Sequence, residues 1–200
     1  LGKPLPKGIP SYQLGGGNPA QIPEIEKMYR NRMEKIISNS DEFEQLIGRY
    51  DAPQGKISFI ESVAEFLSNK FGWKIGPENV GITNGSQSSF FYLFNLFSGT
   101  FSNSNKKKTI VLPLVPEYIG YADQGLEADT FVGIPATFTM SNNHTFKYNV
   151  DFEKLENYLE KHDNVGALCV SRPTNPTGNV LTNEEISRLS ILAKKYDIPL

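Results

Sequence analysis

The 200 residues, 38% hydrophobic and 12% aromatic, are enough to bury a real core, which excludes a disordered chain. Formal net charge is -2, with Lys and Arg scattered along the chain. That excludes a one-signed field able to draw in nucleic acid or an anionic membrane, and it favours a small-molecule partner.

The single cysteine, Cys169, sits in the apolar run 165–170, which rules out an internal disulfide framework and fits a reducing, cytoplasmic setting. No apolar stretch approaches the length of a membrane span, and residues 1–10 lack the charged and apolar regions of a targeting signal. The chain opens without Met and stops at Asp197-Ile198-Pro199-Leu200, where a helix gives way to a new apolar strand, so it reads as an incomplete domain.

Residues 1–23 carry several Pro and Gly, including Gly15-Gly16-Gly17-Asn18-Pro19, and read as an extended arm. From Pro23, the spacing of Ile25, Met28, Tyr29, Met33, Ile36 and Ile37 predicts a helix, and Pro suits its first turn. A second helix is predicted over 56–71, with an apolar face of Phe59, Ile60, Val63, Phe66 and Leu67. Val80-Gly81-Ile82 reads as a short strand, Thr83-Asn84-Gly85-Ser86-Gln87-Ser88-Ser89 as a tight turn, and 90–97 as a buried helix.

Strands are predicted at 109–112, 130–134 and 165–170, a helix start at 117–124, and a surface excursion at 135–148. Asp151 can cap a helix running to about Glu160. Thr182 and Glu185 have capping-box spacing for a helix ending near Tyr196. Strands alternating with helices predict an α/β chain with a doubly wound, mostly parallel sheet.

In such a sheet ligands sit beyond the carboxyl ends of the strands. A helix starting just after Gly85 aims free amides and a positive dipole end at an anion, phosphate being the obvious guest. An ordinary cap and turn remains an equal alternative for that segment taken alone. In Ser171-Arg172-Pro173-Thr174-Asn175-Pro176-Thr177-Gly178 prolines stiffen the backbone, while the Asn175 amide can donate and accept, which suits one edge of a polar ring. Tyr118, in Pro116-Glu117-Tyr118-Ile119-Gly120-Tyr121, offers a flat surface for stacking, although such a tyrosine more often finishes a core.

Taken together and in order, these segments resemble the fold-type-I pyridoxal-phosphate-dependent aminotransferases across essentially the whole chain. The resemblance is sharpest in residues 14–23, 83–99, 116–123 and 170–181. It implies the type I pyridoxal-phosphate-dependent transferase fold, a three-layer α/β/α sandwich with a mostly parallel sheet, here truncated. Residues 1–50 would be the arm and the helical part of a small domain, and 51–200 the first part of the large cofactor-binding domain.

By the same resemblance the cofactor is pyridoxal 5'-phosphate. Gly85 with the amides of Ser86 and Gln87 would hold its phosphate, Tyr118 would stack on its ring, and Asn175 would bond its phenolic oxygen. Tyr50, in Tyr50-Asp51-Ala52-Pro53-Gln54-Gly55, would reach the phosphate bound by the other subunit of a homodimer. Gly17 and Asn175 would lie at the substrate. The implied reaction moves an amino group from an aliphatic amino acid, valine, to a 2-oxo acid, pyruvate, giving alanine. The Schiff-base lysine, an aspartate and the arginines of the family are not identifiable here, and the resemblance places them beyond residue 200, so the fragment alone is expected to be inactive.

Isolated His144 and His162 do not have the spacing of a metal site with Cys169. A transcription regulator with an aminotransferase-like effector domain ranks below the enzyme, because neither a helix-turn-helix segment nor a basic surface is visible. A related pyridoxal-phosphate lyase stays open until substrates are assayed. A dinucleotide-binding domain is discounted for want of a Gly-x-Gly-x-x-Gly after a strand.

Overall fold

A computed structural model describes residues 6–10, 19–102, 106–142 and 144–200. Contacts divide the chain into two units, Leu1–Pro77 and Glu78–Leu200.

The first unit is helical. Helix α1 (Pro23–Ser38) opens on proline, whose fixed φ suits a first turn and whose missing N–H is not needed there. Glu24 and Glu26 in its first turn and Lys35 in its last complement the helix dipole. Asn39 ends α1 and starts α2 (Ser40–Gly48), its side chain accepting from the Glu42 N–H at 3.3 Å. Arg32 pairs with Glu42 between the two helices. The sequence reading missed α2, a short helix whose signal is a single Asx cap rather than a long apolar period. Helix α3 (Ile57–Phe71) matches its prediction and stops at Gly72, which adopts φ +69° and returns its N–H to the Ser68 carbonyl at 2.8 Å. Ile60 and Ala64 are buried, whereas Phe59 and Phe66 of the predicted apolar face are exposed. Periodicity reports which face of a helix is apolar, and burial depends also on what packs against it.

The second unit contains, in order, α4 (Ser86–Phe97), β1 (Gly99–Thr100), β2 (Lys107–Val115), β3 (Phe131–Pro135), β4 (Thr137–Ser141), β5 (Thr145–Asn149), α5 (Phe152–Lys161), β6 (Val165–Leu168) and α6 (Asn183–Lys195). Strand β2 is central. It pairs in parallel with β3 (Ile110 opposite Phe131) and with β6 (Ile110 opposite Ala167), and its first residues pair antiparallel with β1.

Alternation along β2 sends side chains to both faces, as a parallel strand covered on two sides requires. Ile110 packs with Phe94 of α4, Tyr121 and Ala167 on one face. Val111 and Leu114 pack with Leu155 and Leu159 of α5 and with Leu189 and Leu192 of α6 on the other. Helix, sheet and helices thus form the expected three layers. Each fully buried leucine contributes about 1.5–3 kcal/mol.

Both predicted caps hold: the Asp151 side chain accepts from the Lys154 N–H, and Thr182 and Glu185 form a reciprocal capping box. Glu185 does more than cap. Its carboxylate also accepts from Lys147 Nζ at 2.8 Å and from the Val150 N–H at 3.2 Å, joining α6 to β5 and its exit. Burial works against its charge, yet the Lys147 bond and the backbone amides outweigh it and hold its pKa below the usual carboxylate value. With the folded pKa depressed, the stabilisation is present above the unfolded value near 4 and is lost as pH falls through the folded value. Glu185→Gln is therefore expected to cost about 1–2 kcal/mol at pH 7, and the gap to wild type should shrink below about pH 4 in melts followed against pH.

Four local expectations need correction. Val80-Gly81-Ile82 is not a strand, since a strand exists only within a ladder and no strand pairs with these residues among those described. The helix expected at 117–124 is a single 3-10 turn, Ile119–Tyr121. The excursion at 135–148 is instead a hairpin, β4 pairing antiparallel with β5 from Thr137 opposite Asn149 to Ser141 opposite Thr145. Helix α4 is only partly the buried helix expected: Phe94 is covered, whereas Tyr92, Leu93 and Leu96 are exposed.

Candidate functional site

Three chain segments meet in the second unit around a cavity of about 250 Å³ lined by Ser86, Gln87, Phe90, Tyr118, Tyr121, Ser171, Pro173 and Asn175. Two of these segments leave the carboxyl ends of the parallel strands β2 and β6, and the third is the start of α4, so the cavity lies where an open α/β sheet places its ligands.

The start of α4 is built to keep its amides open. Its N-cap is Gly85, at φ +86° and ψ 167°, and no side chain caps the first turn. That backbone conformation belongs almost to glycine alone. The turn is braced from outside, with the Thr83 hydroxyl against the Gly85 carbonyl at 2.9 Å and the Ser89 hydroxyl at 2.6 Å, and with Ser88 Oγ donating to the Asn84 carbonyl at 3.3 Å. The free N–H groups at Ser86 and Gln87 and the positive dipole end suit an anion.

Tyr118 sits one turn beyond β2. Its ring meets Tyr121 edge-on at 5.4 Å and 89°. Gly120 makes room for it: a Cβ there would fall 2.4 Å from Tyr118 Cε1 and 2.8 Å from Gln87 Nε2. The absence of that side chain lets the tyrosine ring and the glutamine amide share one wall of the site.

The loop after β6 is held by its own backbone, the Thr174 N–H donating to the Asn179 carbonyl at 2.9 Å and the Gly178 N–H to the Thr174 carbonyl at 2.7 Å. Buried Thr174 also donates to the Ser171 carbonyl at 3.0 Å. Asn175 projects from this braced loop as an exposed residue at the cavity edge. In the cavity wall the Tyr121 hydroxyl lies 3.1 Å from Ser171 Oγ, and burial raises the Tyr121 pKa. Burial, with the nearby charge of Glu117, pushes the Cys169 thiol up to about 12, so Cys169 stays a protonated packing residue.

The structure thus brings together Ser86, Gln87, Tyr118 and Asn175, with Gly85 shaping the turn before Ser86. Tyr50 lies in the first unit and is fully exposed. Gly17 lies outside the described residues. No lysine is among the residues lining the cavity. Glu117, Gly120 and Tyr121, beside Tyr118, carry no local signal of their roles, because those roles depend on residues distant in sequence, Ser171 for Glu117 and Tyr121 and Gln87 for Gly120.

Comparison with known proteins agrees with this arrangement. The family model for aminotransferase class I and II matches residues 26–200. The chain is 48% identical over 190 residues to the valine–pyruvate aminotransferase of Escherichia coli, covering 95% of this chain and 44% of that protein. Among solved structures it resembles a putative amino-acid aminotransferase from Psychrobacter arcticum at 42% identity and a TM-score of 0.85, covering 93% of this chain and 45% of that one. It also resembles the valine–pyruvate aminotransferase of Salmonella typhimurium at 44% identity and a TM-score of 0.77, covering 93% and 44%. The chain therefore spans less than half the length of these relatives. With the model matching from α1 to the last residue, and the strand-end cavity formed within that match, the chain belongs to the class I and II aminotransferases.

Proposed function

We propose that this chain carries the cofactor-binding part of a pyridoxal-phosphate-dependent aminotransferase that moves an amino group from valine to pyruvate. The observation that carries the reading is the convergence of Ser86, Gln87, Tyr118 and Asn175 on one cavity at the strand ends.

The residues fit the cofactor by their chemistry. An uncapped helix start behind a glycine suits a phosphate, an aromatic face suits a pyridine ring, and an amide side chain suits a phenolic oxygen. When bound, the cofactor supplies an electron sink conjugated to the substrate nitrogen. The Ser86 and Gln87 N–H groups donate to the phosphate and fix its position. Tyr118 covers one ring face and excludes water from it. Asn175 donates to the phenolic oxygen and sets the rotation of the ring in its plane. The family resemblance assigns Gly17 to the substrate carboxylate and assigns Tyr50, from one protomer, to the phosphate of its partner in a cytoplasmic homodimer. Residues 1–50 supply the arm and helical part of the small domain, and 51–200 the first part of the cofactor-binding domain. The relatives that are valine–pyruvate aminotransferases, at 48% and 44% identity, support the choice of substrates.

The test is an absorbance titration of the full-length gene product with pyridoxal phosphate, then valine, then pyruvate. The expected result is a band near the edge of the visible that valine removes and pyruvate restores. A band that ignores valine sinks the substrate assignment, and no band sinks the site.

A further inference from the structure

Glu117 is not among the residues lining the cavity, yet it joins the two loops that carry Tyr118 and Asn175. One carboxylate oxygen, Oε1, accepts from the Tyr118 N–H at 2.8 Å, and the other, Oε2, accepts from the Ser171 N–H at 2.9 Å. The two donor amides lie at the exits of β2 and β6, parallel neighbours in the sheet, and Glu117 reaches the second of them across 54 residues of sequence. The Tyr121 hydroxyl and Ser171 Oγ, 3.1 Å apart, tie the same two loops a second time.

We propose that Glu117 is a positioning residue for the cofactor ring, a bridge that sets the spacing between the stacking face of Tyr118 and the edge presented by Asn175. The inference rests on the cofactor reading above.

Only an ionised carboxylate of this length does the work. It is an acceptor at both oxygens, so it can satisfy two backbone N–H groups that face it from opposite loops. A glutamine keeps one acceptor and turns an N–H pair toward the other amide, which breaks one side of the bridge. An aspartate keeps the charge but is one methylene shorter and cannot span both loops. Gly120, two residues beyond Tyr118, leaves the ring free to take the position the bridge sets, since a Cβ there would fall 2.4 Å from the ring.

The experiment uses the full-length protein and compares wild type with Glu117→Gln and Glu117→Asp. Three readings are taken: the dissociation constant for pyridoxal phosphate from titration of the apoprotein, the visible circular dichroism per bound cofactor at saturation, and the melting temperature of the apoprotein. The expected result is a dissociation constant raised about tenfold or more in both variants. The dichroism per cofactor should change as well, because the ring no longer sits at the same angle between tyrosine and asparagine. A purely structural role would lower the melting temperature while leaving the saturated dichroism unchanged, and that result overturns the proposal. Rescue by aspartate reassigns the effect to charge and overturns it too. A wild type that binds no pyridoxal phosphate fails the cofactor reading instead, whereas tight wild-type binding with an unaffected Glu117→Gln fails the bridge alone.

Discussion

Replacing Gly166 by alanine is expected to destabilise the protein by about 3 kcal/mol or more, among the largest effects of any single methyl added to this chain. Gly166 lies in β6, buried under the end of α4. A Cβ built there would fall 1.7 Å from the Phe97 carbonyl oxygen and 2.8 Å from its carbon, where real contacts almost never go below 3.0 Å. Both obstructing atoms are backbone, so no rotamer change relieves the overlap. Either α4 lifts from the sheet, opening the contacts of Phe94 with Ile110 and Ala167, or β6 shifts from β2. Gly81→Ala is the matched control: nothing lies within 4 Å of its Cβ and its φ is not positive, so a change within about 0.5 kcal/mol is expected. Denaturant melts of the two variants read the difference directly. A loss of less than about 1 kcal/mol for Gly166→Ala would show that the last carbonyl of α4 does not rest on β6.

The same close approach explains why the site is where it is. Phe94, on the inner face of α4, packs on Tyr121 at 5.3 Å and on Phe131 at 5.0 Å, so the helix whose first turn meets the cavity is seated by the residues that follow β2 and begin β3. Phe90, one turn earlier, lines the cavity itself and contacts Tyr121 at 4.8 Å. Displacing α4 therefore carries Ser86 and Gln87 away from Tyr118, and stability and ligand affinity are coupled through one helix.

What was legible in the sequence follows from how local each signal is. Helices α1, α3, α5 and α6 announced themselves through periodicity and capping residues that act within one turn, Asp151 and Thr182 above all. The parallel strands read correctly because a strand buried on both faces is a continuous apolar run. The hairpin β4–β5 did not: 135–148 reads as a surface excursion, and its first strand is indeed exposed, but that reading passes over the period-two alternation of Thr137-Phe138-Thr139-Met140-Ser141 as a strand signal. Ser86, Tyr118 and Asn175 were readable as candidates from strand-end position and from family resemblance. Glu117 was not, since its meaning lies in an amide 54 residues away. Gly120 was hidden for a different reason: the space that its missing side chain leaves is occupied by atoms of Tyr118 and Gln87, and that crowding exists only in three dimensions.

Gly85→Ala is expected to weaken pyridoxal phosphate binding by about 10- to 100-fold, the loss of one hydrogen bond to a charged group at about 1.5–3 kcal/mol. The cause is conformational and not steric. Nothing lies within 4 Å of a Cβ at Gly85, but φ +86° with ψ 167° is a backbone state that an L-residue reaches only at a cost of about 1–3 kcal/mol. The turn relaxes by rotating φ toward negative values, which swings the first peptide planes of α4, and with them the Ser86 and Gln87 amides, off the common point where a phosphate would sit. Gly72→Ala supplies the contrast. It too holds a positive φ, +69°, and its Cβ too meets nothing, but it ends α3 in the first unit and aims no free amides. It should lose about 1 kcal/mol of stability and leave the affinity unchanged. Titrating both apoproteins with inorganic phosphate as well as with the cofactor separates phosphate capture from ring stacking, because the Gly85 defect must appear for both ligands. A Gly85→Ala protein that binds cofactor and phosphate like wild type would mean that the phosphate is held elsewhere than at the start of α4.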